Sequence, residues 1–475
     1  MRIFRKLHLD FLCCLIYGLL SAIIIFVLTR GGITLSPDSI NYLSIAKMIN
    51  IGRWSESFVV TWPPFFPMLI ALINSFGFEG EESARIISVI SYSVLVMALF
   101  LLARATAGRL VAHLTSVSML FFAPLLFVYS FCWSETVYIT LSAISLLFLD
   151  KFYKSTDVTS KRYLIWGAIF VGLAFLTRYA GVTLFLAGFL IVGFKRGIKL
   201  TADKIKDLVL FSVITCTPIT LYLIGCLHYK GALVPSANIV VTTLWQNLNF
   251  FFNTIYHDFL TFDLRFQGYV DSRQSGVPIL LLGKMAGLIF LILCVMYFLL
   301  RSFKERIKDQ VVPIIYVACY SLFIIIISTV RYRTLIESRL CSLLYPFIIV
   351  LMFFVIIVVC KGVARRRTNL LFWGLSIFAV LFFWSIQLGS TVNLYMQMAP
   401  PEAPLVEHRD ITGDEIIDLS DLMYLINYLY RGGPRPRPLE NANVNCDATI
   451  DIADVIYLVN YIYKAGPPPC NLRGR

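Results

Sequence analysis

Long apolar runs alternate with short polar stretches along most of the chain. Runs of spanning length lie near residues 11–29, 86–104, 111–131, 134–150, 206–226, 277–300, 312–330, 341–360 and 369–389. A helix of ~20 apolar residues crosses the hydrocarbon core of a bilayer. The stretch Tyr163–Phe194 is too long for one span and contains Arg178, so it predicts two short helices that meet near residues 178–181. The pattern predicts an all-α, polytopic membrane protein of about eleven transmembrane helices.

The composition supports this interpretation. Of the 475 residues, 58% are hydrophobic and 15% are charged, and the mean hydropathy is +0.78. A water-soluble domain lacks the polar surface to cover so many apolar side chains. Membrane lipid must therefore be the solvent for most of the chain.

The net charge of +13 is unevenly distributed along the chain. From Glu402 onward there are 11 acidic and 7 basic residues, whereas the preceding part has 34 basic and 17 acidic residues. The basic residues cluster between apolar runs, and with about eleven spans every strong cluster falls on one side of the membrane. This distribution argues against nucleic-acid binding. It predicts a bacterial plasma or inner membrane protein with a cytoplasmic N-terminus and an extracytoplasmic C-terminus.

Two long loops fall on the outer side of this predicted topology. The first extends from about Gly31 to Arg85 and contains the apolar stretch Phe65–Phe76. This stretch is too short to span the membrane, so it predicts a helix that lies at the membrane interface. The second extends from about His228 to Gly276. Long ordered loops usually carry function, and these two face the same compartment.

The polar tail contains a duplication. The segment Asp421–Pro434 recurs 33 residues later as Asp454–Pro467. The first residue of each copy is the last position of a twelve-residue stretch, which has oxygen-bearing side chains at positions 1, 3, 5, 9 and 12. Calcium loops place their side-chain ligands at this spacing. The predicted calcium ligands are Asp410, Thr412, Asp414, Asp418 and Asp421 in the first loop, and Asn443, Asn445, Asp447, Asp451 and Asp454 in the second. The alternative is an acidic, solvated tail with chance spacing.

The duplicated loops resemble the type I dockerin, in which the twelfth ligand is Asp, over about residues 407–470. The resemblance implies calcium binding and a cohesin-like protein partner. In this chain Glu415 and Ala448 replace the usual glycine at position 6, which predicts weaker calcium binding if φ is positive there. If the tail lies outside the cytoplasm, its two cysteines, Cys446 and Cys470, can form a disulfide.

The membrane part contains short motifs in a recognisable order. They are Ser36-Pro37-Asp38-Ser39 with Tyr42, Gly52-Arg53-Trp54, Thr61-Trp62-Pro63-Pro64, Trp133-Ser134-Glu135, Thr177-Arg178-Tyr179, Glu337-Ser338-Arg339 and Leu344-Tyr345-Pro346. Over about residues 5–390 this order resembles the GT-C fold, the polyprenyl-phosphate-sugar-dependent glycosyltransferases related to protein O-mannosyltransferases. The resemblance implies transfer of a sugar from a polyprenyl-phosphate donor to an extracytoplasmic acceptor, with inversion at the anomeric carbon.

Asp38 matches the acidic residue of the first outer loop that acts as catalytic base in this family. A carboxylate can take the proton of an acceptor hydroxyl; the alternative is a helix cap. Arginines or a bound divalent cation can stabilise the leaving phosphate. Arg339 is the preferred phosphate ligand, with lipid headgroup contact as the alternative.

The other predicted substrate-binding residues are Tyr42, Trp62, Glu135, Arg178, Tyr179 and Glu337. A charge deep in an apolar run usually has a function, although Arg178 can instead form a structural pair with Glu135. Trp62 either shapes an acceptor groove or anchors the chain at the interface. The histidines lack metal-binding spacing and no phosphate-binding glycine-rich loop is present, which argues against a nucleotide-sugar donor.

The predicted domains are a transferase at residues 1–395, a linker at 396–406 and a dockerin-like domain at 407–475. A membrane transporter is the main alternative function, which predicts internal symmetry between the two halves and broken helices at mid-membrane. The sequence shows no such repeat, and its acidic residues cluster at the outer surface instead. A second alternative makes the membrane part an anchor for the tail, for which one span would suffice. The sequence leaves open whether the tail recruits a partner or folds back over the site.

Overall fold

The structure of this chain is a computed structural model. It describes residues 2–156, 160–195, 197, 201–231, 243–260, 307–330, 338–363, 369–398, 410–413, 417–447, 449–464 and 466–470. The predicted span near 277–300 lies outside the described residues, as do Glu337, Asp414, Glu415 and Ala448. Residues 399–409 also lie outside them, so the proposed domain boundaries stay predictions.

The described part of the membrane region is helical, with one isolated β-bridge between Thr34 and Phe131. The helices are α1 (Arg2–Leu28), α2 (Pro37–Asn50), α3 (Trp54–Ser57), α4 (Phe65–Asn74), α5 (Gly80–Thr106), α6 (Arg109–Met119), α7 (Ala123–Tyr129), α8 (Glu135–Lys154), α9 (Ser160–Thr177), α10 (Gly181–Phe194), α11 (Ala202–Lys230), α12 (Leu244–Leu260), α13 (Val311–Val330), α14 (Ser338–Cys341), α15 (Tyr345–Val363) and α16 (Asn369–Met398). A 3₁₀ turn at Ile307–Gln310 precedes α13. The predicted all-α fold is confirmed.

Six helices in the described residues are long and apolar enough to cross a membrane, or seven if one bent pair counts as a span. They are α1, α5, α8, α11, α13 and α16. The bent pair is α6 and α7, whose axes differ by 59°. The apolar run of spanning length at 111–131 is therefore interrupted by a bend, and whether it forms one span stays a prediction. Pro124 lies in the first turn of α7, where proline starts a helix and cannot continue one.

The predicted break at Arg178 is confirmed. Helix α9 ends at Thr177 and α10 starts at Gly181. The Gly181 N–H donates to the Arg178 carbonyl at 2.8 Å, which closes a tight turn between the two helices. Neither helix is long, so the break places the Arg178 side chain at a helix end rather than along a continuous apolar helix.

The segment between α1 and α5, which the sequence predicts as the first outer loop, folds into α2, α3 and α4. The predicted short helix from Phe65 is observed as α4, which buries Phe66 and Ile70 and exposes Leu72. Helix α4 packs against α2 and α5. The loop is therefore an ordered layer on the ends of the membrane helices, and it carries Asp38 in α2.

The tail forms a small separate core. Its helices are α17 (Leu419–Tyr430) and α18 (Ile452–Lys464), with a 3₁₀ turn at Leu439–Ala442 between them. The core residues are Ile411, Leu422, Leu425, Ala442, Val444, Val455 and Leu458. Cys446 and Cys470 form a disulfide, as the sequence allowed.

Candidate active site

Asp38 and Arg339 meet at the start of α2. The Asp38 Oδ2 atom lies 2.7 Å from Arg339 Nη1, and the two side chains are 34% and 22% exposed. The cap of α2 is formed by other residues, because the Ser36 N–H donates to Ser39 Oγ at 2.9 Å. The carboxylate of Asp38 is thus turned toward a cation and remains open to solvent.

Glu135 forms ion pairs with two arginines, Arg339 and Arg178. Its carboxylate is fully buried and contacts Arg339 Nε. Arg178 Nη1 lies 2.7 Å from Glu135 Oε2 and donates to Ser134 Oγ at 3.0 Å. Two guanidinium groups compensate the cost of burying this carboxylate. The pairing of Arg178 with Glu135, which the sequence left as an alternative, is present, and the pair belongs to a chain that reaches Asp38.

The indole ring of Trp133 packs against the guanidinium group of Arg339. Its Cζ atom lies 4.3 Å from the centre of the Trp133 ring, an arrangement in which a guanidinium gains from the ring's electron density. The Trp133 Nε1–H donates to Ser36 Oγ at 2.7 Å. Trp133 therefore links Arg339 to the residue that precedes α2.

The other predicted site residues lie nearby with structural partners. Tyr42 is buried and its hydroxyl lies 2.9 Å from Ser134 Oγ. The Tyr42 ring packs edge-on against Trp62. The Tyr179 hydroxyl donates to the Val60 carbonyl at 2.7 Å. These contacts place Tyr42 and Trp62 beside the charged group, whereas Tyr179 anchors the loop before α4.

Asp258 is a buried carboxylate that sequence reasoning missed. It lies in α12 of the second outer loop, is 3% exposed, and accepts a hydrogen bond from Ser338 Oγ at 2.8 Å and another from the Tyr345 hydroxyl. Burial raises the pKa of Asp258 to about 7, against the opposing effect of these two bonds. Ser338 directly precedes Arg339, so Asp258 ties α12 to the short helix that carries the arginine. The sequence signals near this place were the motifs that contain its partners, Glu337-Ser338-Arg339 and Leu344-Tyr345-Pro346, and none of them named Asp258 itself.

The two calcium loops of the tail close on equivalent carboxylates. Asp421 Oδ1 accepts the Thr412 N–H at 2.8 Å and Asp421 Oδ2 accepts the Asp418 N–H at 3.0 Å. In the second loop, Asp454 Oδ2 accepts the Asp451 N–H at 3.0 Å. Each twelfth-position aspartate thus accepts backbone N–H bonds that join the loop to the first turn of its helix, and its role as a calcium ligand stays a prediction.

The second loop also has an oxygen suited to a cation. Asn443 Oδ1 is buried without a hydrogen-bond partner in the described residues, and Asn443 is the first predicted ligand. An unpaired buried oxygen is costly, and a bound cation would satisfy it. The donor set of this loop, made of amide and carboxylate oxygens, fits calcium.

Among the described residues of these two loops, the residue at position 4 has a positive φ in both. It is Gly413 (φ 80°) in the first loop and Cys446 (φ 57°) in the second. The expected penalty at position 6 concerns Glu415 and Ala448, which lie outside the described residues, and stays a prediction.

No cluster of three or more His, Cys, Asp or Glu side chains in the described ranges is positioned to bind a metal ion. The divalent cation expected at the transferase site therefore stays a prediction.

Family models match two parts of the chain. Residues 61–222 match "Dolichyl-phosphate-mannose-protein mannosyltransferase", and residues 408–463 match "Dockerin type I domain". No sequence among curated proteins matches the chain.

Solved structures share the fold of the membrane part. Apo ArnT from Cupriavidus metallidurans is 14% identical, with a TM-score of 0.55 over 83% of this chain and 78% of ArnT. The oligosaccharyltransferase of Archaeoglobus fulgidus, tethered to an acceptor peptide, is 13% identical, with a TM-score of 0.52 over 85% of this chain. The match spans 58% of that enzyme's length. The chain therefore combines the polytopic membrane fold of GT-C glycosyltransferases with a C-terminal type I dockerin-like domain.

Proposed function

We propose that this protein transfers a sugar from a polyprenyl-phosphate donor to a hydroxyl acceptor outside the cytoplasm. The observation that carries the proposal is the charged group Asp38, Arg339, Glu135 and Arg178. In this group the carboxylate of Asp38, on α2, is partly exposed, and the carboxylate of Glu135 is fully buried. The fold shared with GT-C enzymes and the match to a dolichyl-phosphate-mannose mannosyltransferase model support a lipid-phosphate sugar as donor.

Arg339 is the proposed phosphate ligand. Its guanidinium offers several donors in one plane, a geometry suited to phosphate oxygens. Glu135 and the Trp133 ring hold the guanidinium in place, so little side-chain freedom is lost when phosphate binds. A phosphate that takes the Nη1 donor of Arg339 competes with Asp38 for it, and this competition would release the carboxylate for catalysis.

Asp38 is the proposed general base. As the acceptor oxygen attacks the anomeric carbon, the bond from that carbon to the phosphate oxygen breaks. The acceptor proton passes to Asp38, and the polyprenyl phosphate leaves with its charge stabilised by Arg339. Tyr42, Trp62, Arg178, Tyr179 and Glu337 remain proposed substrate-binding residues, with Glu135 as the residue that positions both arginines.

The dockerin-like module supplies a second proposed activity. Calcium would be held in the first loop by Asp410, Thr412, Asp414, Asp418 and Asp421, and in the second by Asn443, Asn445, Asp447, Asp451 and Asp454. The ion would fix each loop against its helix. A cohesin-like protein is the proposed partner of the module, and the module is proposed to lie outside the cytoplasm, with the N-terminus inside.

The test is sugar release from a panel of polyprenyl-phosphate sugars by purified protein in nanodiscs. The parent is compared with Asp38→Asn and Arg178→Ala, and with the control Asp203→Asn, whose carboxylate is 92% exposed. Turnover that collapses in Asp38→Asn and persists in Asp203→Asn supports the transferase and its base. Turnover that is equal in Asp38→Asn and the parent rejects Asp38 as the base.

Two further results would reject the transferase function itself. Absence of turnover with every donor, together with substrate flux in proteoliposomes, indicates a transporter. Cohesin-like partner binding without any turnover indicates a membrane anchor for the module.

A further inference from the structure

The dockerin-like module contacts the outer segment that carries Asp38. Arg437 Nε lies 3.3 Å from Glu81 Oε2, and Arg437 Nη2 lies 3.9 Å from Glu79 Oε2. Glu81 is only 8% exposed, so its carboxylate requires a nearby cation. Ser44 Oγ, on α2, donates to the Arg431 carbonyl at 3.1 Å. The two parts of the chain thus share an ion pair and a hydrogen bond.

Gly432 of the module lies against the Lys47 side chain of α2. Gly432 has φ +71°, and a Cβ atom at this position would lie 2.8 Å from Lys47 Nζ. In the second repeat the equivalent residue is Ala465. The first repeat therefore has glycine where its backbone meets the Lys47 side chain, and the second repeat has alanine at the matching position.

A cavity of 730 Å³ lies between the module and α2. One wall includes Ser36 and Asn41, and the opposite wall includes Thr412, Tyr424 and Asn427. Ser36 accepts the Trp133 hydrogen bond described above, so this wall is connected to Arg339. Thr412 belongs to the first calcium loop, and its N–H is held by Asp421.

The matching face of the second repeat is solvent-exposed. Ile456 is 54% exposed against 40% for its equivalent Met423, whereas Tyr463 and its equivalent Tyr430 are similarly exposed, at 60% and 58%. The first repeat is therefore distinguished by its contacts with Ser44 and Lys47 of α2, and not by the exposure of these side chains.

We propose that the first repeat of the module binds in cis to the α2 segment, and that calcium in the first loop maintains this interface. The partner of the first-repeat face is therefore the membrane part of the same chain. The second-repeat face stays available to a separate protein. Because Ser36 and Lys47 both lie at the interface, docking restrains both ends of the helix that carries Asp38.

The experiment is thiol cross-linking in the full-length protein in nanodiscs. Asn41→Cys with Asn427→Cys places thiols on opposite walls of the cavity, and a short water-soluble bismaleimide joins them. A protease site inserted between residues 399 and 409 then reports whether the module stays attached after cleavage. The matched control is Asn41→Cys with Asn460→Cys, since Asn460 is the second-repeat equivalent of Asn427.

The expected result is an intramolecular cross-link with Asn427→Cys in calcium, its loss in chelator, and none with Asn460→Cys. Adding Arg437→Gln should lower the yield about fivefold, the effect of losing ~1 kcal/mol. Adding Lys206→Gln should leave the yield unchanged, because Lys206 pairs with Asp203 on the exposed surface of α11 and does not line the cavity. The proposal is overturned by absence of the cross-link in calcium, by a cross-link only between two chains, or by equal yields with and without chelator. These readouts do not require sugar transfer, so they are independent of the proposed function.

Discussion

Arg339 joins Asp38 and Glu135, two carboxylates that lie far apart in the sequence. Its Nη1 atom is 2.7 Å from Asp38 Oδ2, and its Nη2 atom is 3.3 Å from Glu135 Oε2. The same guanidinium therefore holds the partly exposed carboxylate and the buried one at a fixed separation. A side chain with a single charged nitrogen cannot make both contacts with this geometry.

Arg339→Lys should reduce turnover about tenfold or more and weaken donor binding, because the ammonium group loses the planar set of donors. Steady-state rates over a range of donor concentrations measure both effects. The control is Arg85→Lys, which should keep the parent rate, because Arg85 has a similarly low exposure of 14% but pairs with Glu82 outside the candidate site. Parent-like kinetics in Arg339→Lys would contradict the assigned phosphate role.

Glu135→Gln should destabilise the protein by about 3–5 kcal/mol, because it leaves Arg178 and Arg339 partly buried beside a neutral group. Thermal unfolding in detergent measures this loss. Glu82→Gln removes a carboxylate that is 42% exposed, and it should change stability by about 1 kcal/mol or less. Equal shifts in the two variants would argue against a structural role of Glu135.

The raised pKa of Asp258 predicts a pH dependence of stability. Its folded-state pKa of about 7 is above the ordinary aspartate value of 3.8, so the folded protein keeps a proton that the unfolded chain has lost. The contribution of Asp258 to stability is therefore present at low pH and lost as pH rises through about 4 to about 7.

Unfolding temperatures measured from about pH 5 to about pH 8 should fall more steeply in the parent than in Asp258→Asn. Asp207→Asn, on α11, serves as the control and should follow the parent. The same slope in the parent and in Asp258→Asn would show that this carboxyl does not titrate in the folded protein within that range.

Asn443→Ala should weaken calcium binding in the second loop about tenfold, equal to ~1.4 kcal/mol, because the first ligand oxygen is removed. Isothermal titration with calcium should show one weakened and one unchanged site. Asn460→Ala, outside both loops, is the control. Two unchanged sites in Asn443→Ala would remove Asn443 from the ligand set.

Most of the membrane fold could be predicted, because long apolar runs and isolated charges are local signals. The break at Arg178 was found because a charge within an apolar run is expensive. The bend between α6 and α7 was missed, since hydropathy does not register where a helix turns. Pro124 was the available signal, and it lies inside a run that otherwise suits a single span.

The sequence pointed to Asp38, Glu135, Arg178 and Arg339 and offered the pair of Arg178 with Glu135 as an alternative, but it did not predict that Arg339 pairs with both carboxylates. Glu135 and Arg339 are 204 residues apart, and their contact depends on how α8 and α14 pack. Asp258 was missed for a related reason. It is surrounded in sequence by aromatic residues without a motif, and only the fold brings Ser338 and Tyr345 to it.

The four charges of the candidate site cancel one another. Asp38 and Glu135 carry two negative charges, and Arg178 and Arg339 carry two positive charges. A lipid phosphate that binds Arg339 therefore leaves this group electronegative, at a place where Glu135 is shielded from water. Because the Asp38 side chain is 34% exposed, mobile cations from solution can offset this charge, so the strength of donor binding should depend on the salt concentration.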